Sequence, residues 1–159
     1  MGGGFEVVSQ RKIKKSMQQT LLLIKKGEDT GLRLDHEQTR LLLACMDDQE
    51  QLTKRLRAAF GAIYPEAILE KQVEKAQNSL TYKCAAAVCT IQKESGGSSL
   101  GSPAAMESVL VVAAHASSNG TDNRAIVAAV KVLAIWLGTL PEVNSVPRML
   151  VMMDANSAA

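Results

Sequence analysis

A chain of 159 residues with 47% apolar side chains is long enough for one well-filled core and too hydrophobic for a disordered polymer. A net charge of +2 points to no partner by itself, and the three cysteines, Cys45, Cys84 and Cys89, show neither the CxxC spacing of a zinc knuckle nor the even count of a disulfide framework. Aromatic residues make up 3% (Phe5, Phe60, Tyr64, Tyr82 and Trp136), which leaves few rings for stacking bases and a core of Ala, Val, Leu, Ile and Met.

The first predicted element is a helix over Val7–Lys26, where Ile13, Met17, Leu21 and Ile24 recur at helical steps and Gly27 supplies a stop. After a polar turn at Glu28–Gly31, Asp35 is placed to cap a second helix, with Gln38 as its capping-box partner and Leu41–Met46 as its apolar run. Asp47 or Asp48 caps a third helix with the stripe Leu52, Leu56, Phe60 and Ile63. Pro65 fits the first turn of a fourth, along which Leu69, Val73, Ala76 and Leu80 line up, and the same spacing runs on through Cys84, Ala87, Val88 and Ile91.

The stretch 95–102 (SGGSSLGS) reads as a flexible linker. Ser102 and Pro103 then open a fifth helix, Ala104–Ala116. A second breaker, Ser117–Asn123, leads to a sixth that ends at Gly138, and Arg148–Met153 suits a short final helix. Strands are the competing reading for Val109–Val112 and Val127–Val132. The alanines around them (Ala104, Ala105, Ala113, Ala114, Ala125, Ala128 and Ala129) favour helix. The expected fold is therefore all-α: a bundle of six or seven helices forming one domain, with an N-terminal half (1–94) and an apolar C-terminal half (103–159) joined by the linker.

Charge is unevenly spread. Between Val7 and Gly27 stand Arg11, Lys12, Lys14, Lys15, Lys25 and Lys26, with no acid among them. Residues 101–159 carry only Arg124, Lys131 and Arg148 against Glu107, Asp122, Glu142 and Asp154. The sixth helix is apolar around nearly its whole circumference, so it is either the centre of the monomer or covered on one face by another subunit. The basic first helix suits a phosphate backbone or an acidic lipid surface. The competing reading is a solvated face whose lysines keep the protein soluble.

Sites with stricter spacing requirements are not met. Gly96, Gly97 and Gly101 lack the lysine of a phosphate loop, and Asp47–Glu50 lacks the glycine and spacing of a calcium loop. Glu6 stands where N-myristoylation wants Ser or Thr, and neither His36 nor His115 has a nucleophile at a diagnostic spacing. No segment is apolar enough to span a membrane, and the N-terminus lacks a signal-peptide pattern. The sequence thus predicts a cytoplasmic, non-enzymatic assembly or interaction protein with no cofactor, metal or small-molecule substrate. Its partners would be RNA, more than acidic lipid, and a second copy of itself. A viral structural, matrix or nucleocapsid-associated protein fits that description. A cellular protein–protein adaptor without a nucleic-acid role is the alternative.

Overall fold

The computed structural model describes Thr20, Leu22, Ile24 and residues 31–92, 106–115, 121–143 and 145–154. Within them the chain forms β1 (Arg33–Leu34), α1 (His36–Asp47), α2 (Gln49–Phe60), α3 (Glu66–Tyr82), β2 (Cys84–Gln92), β3 (Met106–His115), α4 (Thr121–Gly138) and β4 (Arg148–Asp154). Thr20, Leu22 and Ile24 are also helical.

The first three helices begin where local chemistry directs. Asp35, in extended conformation, accepts the Gln38 amide N–H on Oδ1 at 2.9 Å, and the Gln38 side chain returns to Oδ2 at 3.0 Å. Only half of a capping box forms, because the Asp35 N–H donates instead to the Val88 carbonyl of β2 at 2.8 Å. Asp48 closes α1 and caps α2, its side chain accepting from the Gln51 N–H at 3.2 Å. Pro65 stands one residue earlier than expected, as the N-cap of α3 with ψ 151°, where its missing N–H leaves no donor orphaned. A two-pronged ion pair from Arg57 to Glu70 (2.7 and 2.8 Å) ties α2 to α3. That pair holds the Glu70 carboxyl below its usual range, but both side chains lie in solvent and add little to stability.

The all-α expectation fails: the described residues form four helices and a four-stranded sheet. Cys84–Gln92 is a strand where a continued helix was expected, Met106–His115 is a strand where a fifth helix was expected, and Arg148–Asp154 is a strand where a short final helix was expected. These join β1 in one four-stranded mixed sheet of order β1-β2-β3-β4. β1 with β2 and β2 with β3 are antiparallel, and β4 runs parallel to β3 after the α4 crossover. Alanine's helix preference loses here because β2 and β3 are covered on both faces. Their pairing satisfies the backbone while buried side chains fall on both faces, as at Val88 and Cys89 or Val111 and Val112, so no polar alternation marks them as strands.

Register assigns the two faces. Cys84, Ala86 and Val88, with Leu110, Val112 and Ala114, meet all four helices in the main core, alongside Leu42, Leu52, Leu56, Phe60, Leu80, Leu133 and Leu137. The opposite face carries a second cluster of Leu32, Cys89, Val109 and Val111, with Ile24 and Ile91 packed against it. The sixth predicted helix is present as α4 and is indeed enclosed on most sides. Arg124, Val127, Lys131 and Ile135 form its outward stripe.

One side chain replaces a strand. β1 ends at Leu34, opposite Cys89, so the next residue of β2 would present an unpaired edge. The Thr39 hydroxyl accepts the Val88 N–H at 2.9 Å and donates to the Val88 carbonyl at 3.1 Å, closing that edge from α1. Thr39→Val keeps the volume but leaves the Val88 N–H unsatisfied. The expected loss is about 1–3 kcal/mol, read by urea unfolding; a loss under about 0.5 kcal/mol would show that water takes over the hydroxyl's role.

Candidate functional site

The six cations predicted to bind anions, Arg11, Lys12, Lys14, Lys15, Lys25 and Lys26, lie outside the described residues. What is described is the point where their segment meets the domain. Thr20 is buried at 5% exposure and donates its hydroxyl to the Ala85 carbonyl of β2 at 3.5 Å. One helical turn later Ile24 packs into the second cluster with Leu32, Cys89, Val109 and Val111. Alanines at 85, 87 and 113 keep this face of the sheet low, which leaves room for a helix to approach it closely. Leu22, between the two anchoring residues, is exposed. Ile24, read in the sequence as part of the apolar stripe of the first helix, thus serves as a contact to the sheet.

Two surface grooves carry charge. Arg55 of α2 lays its guanidinium over the Trp136 ring of α4, 4.5 Å from the centroid, and with Ala58, Ala59, Val132 and Ile135 it lines an open groove of about 380 Å³. Its Nε is buried without a hydrogen-bond partner among the described residues. The stacking fixes the planar cation against the ring. No spacing in the sequence announced this pair, since only the packing of α2 on α4 brings it together. A smaller groove of about 220 Å³ lies between α3 and the first turn of α4, lined by Lys75, Ala76, Asn78, Ser79, Lys83 and Ala125.

The nucleophilic groups are poorly placed for chemistry. All three cysteines are free and buried. Burial pushes the Cys84 thiol up to about 12 and the Cys89 thiol up to about 11, and it raises Cys45 despite the nearby positive charge of Arg55. Thiols held that high supply almost no thiolate at neutral pH. His36 is exposed at the start of α1. His115, expected on a helix, sits at the end of β3, where its N–H donates to the Lys83 carbonyl at 2.9 Å. Among the described residues no three His, Cys, Asp or Glu side chains come together as a metal ion requires, and no helix is long and apolar enough to cross a membrane. Compared with protein-family models, curated proteins and solved structures, the chain matches none.

Proposed function

We propose that this protein is a non-catalytic binding module that holds single-stranded RNA by its phosphates through the basic segment Arg11–Lys26. The observation that carries the reading is the run of six cations without an acid between Val7 and Gly27. Each ammonium or guanidinium that displaces a condensed counterion adds affinity that ignores base identity and weakens with salt. With aromatic residues at 3%, few rings are available to stack bases, which leaves the phosphates as the contact.

RNA is favoured over a lipid surface by the seat of Ile24. An interfacial helix binds a membrane with its apolar face, and the apolar contact at Ile24 is made to the sheet.

Fluorescence anisotropy of a labelled oligouridylate, titrated across ionic strength, tests this. Binding is expected at low salt with an affinity that falls linearly on a log–log plot. The triple change Lys12→Glu, Lys14→Glu and Lys15→Glu should weaken it by about tenfold or more and leave the circular dichroism spectrum intact. Undetectable binding at low ionic strength rejects the reading, and binding to acidic vesicles without binding to RNA transfers it to lipid.

A further inference from the structure

We propose that two copies of this chain join through the outer edge of β4, continuing the sheet antiparallel across a two-fold axis centred on Val151. Among the described residues no strand pairs with that edge, because the sheet order places β4 last. The two ends of the sheet are unlike. The β1 end has a strand of two residues, with Thr39 and Asp35 capping the adjacent Val88. The β4 end has seven residues, Arg-Met-Leu-Val-Met-Met-Asp, with no proline, glycine or lysine inside. Natural sheets blunt exposed edges with such residues, with bulges or with short strands. An unblunted apolar edge is built to be paired.

The charge pattern names the partner. Arg148 and Asp154 are the only charged residues of β4 and stand at its two ends with opposite sign. Antiparallel pairing about Val151 sets residue 148 of each copy opposite residue 154 of the other, so both ion pairs form at once. It also matches Met149 with Met153 and Leu150 with Met152. Paired positions share a face under this register, since side chains alternate with period two. A parallel arrangement opposes like charges, a shift of one residue sets the faces against each other, and a shift of two loses both ion pairs. The Arg148 side chain keeps 70% of its exposure while meeting Glu107 at 3.0 Å through Nε. Its fork of five N–H donors can serve a second carboxylate. Leu150, 42% exposed on the second face, gains cover in the same step.

A two-fold axis normal to the sheet keeps like faces on the same side. The two segments anchored by Ile24 would then share one side of an eight-stranded sheet. The inference does not depend on RNA binding, which a monomer could equally perform.

Sedimentation velocity across a broad concentration range is the test. The wild-type chain should be a dimer. Arg148→Asp and Asp154→Arg, taken singly, should each weaken dimerisation roughly tenfold, because each opposes like charges at both ends of the interface. An equimolar mixture of the two variants should recover the dimer as a heterodimer, since the acidic ends of one then face the basic ends of the other. Asp154→Arg leaves the Glu107–Arg148 pair in place and so guards against a folding defect in the other variant; thermal melting checks both. A monomer at every concentration overturns the inference. So does a dimer indifferent to both reversals, or a mixture that fails to recover it.

Discussion

Phe60→Ala should cost about 3–5 kcal/mol, the range for removing a large buried ring. Phe60 is fully buried at the end of α2, and its ring lies 5.3 Å from that of Tyr64, tilted at 55°, so the two make an aromatic contact across the turn into α3. The main core around it joins Leu52 and Leu56 of α2 to side chains of the other helices and the helix-facing side of the sheet. Truncation opens a cavity in the core that α2 shares with the other helices, leaving little freedom for local collapse. Since a domain of this size has roughly 5–15 kcal/mol in total, a substantial fraction of its stability would go. Urea unfolding followed through the buried Trp136 measures the loss. A change under about 1 kcal/mol would mean that α2 repacks around the gap.

Gly138→Ala should lower the melting temperature, although alanine in place of glycine ordinarily favours a helix by about 1 kcal/mol. In the sequence Gly138 reads as a helix stop. In the fold it is the last residue of α4, and among the described glycines the positive φ belongs to Gly31, at 91°. A Cβ on residue 138 would lie 2.8 Å from the Val146 N, Cα and Cγ2. Two of those are backbone atoms of the segment leading into β4, so relief requires moving the chain. The expected net loss is about 1–3 kcal/mol, as for an overpacked site. A rise in melting temperature would show that the segment yields freely and that only helix propensity counts there.

Both predictions concern residues whose identity was plain in the sequence but whose neighbours were not. The same holds for the candidate site. The basic cluster is visible as a run of letters, whereas the role of Thr20 and Ile24 in seating its C-terminal end on the sheet appears only once β2 and β3 are in place. The stacking of Arg55 on Trp136 joins residues far apart in the chain, and no local pattern encodes it.

What the sequence by itself determined is the part of the fold governed by neighbours three and four residues apart. Asp35 and Asp48 start helices with their own carboxylates, and Pro65 marks the entry to α3. The apolar residues around most of the circumference of α4 announced a helix enclosed on most sides by other elements. Tertiary structure alone decided the state of residues 84–92, 106–115 and 148–154. In the first two, alanines and β-branched residues carry conflicting local preferences, and burial on both faces of β2 and β3 removes the alternation that would separate them; in the third, the leucine and methionines favour helix locally. A strand's hydrogen bonds are made to another strand and a helix's to itself. For these stretches the choice therefore rested on partners brought from elsewhere in the chain.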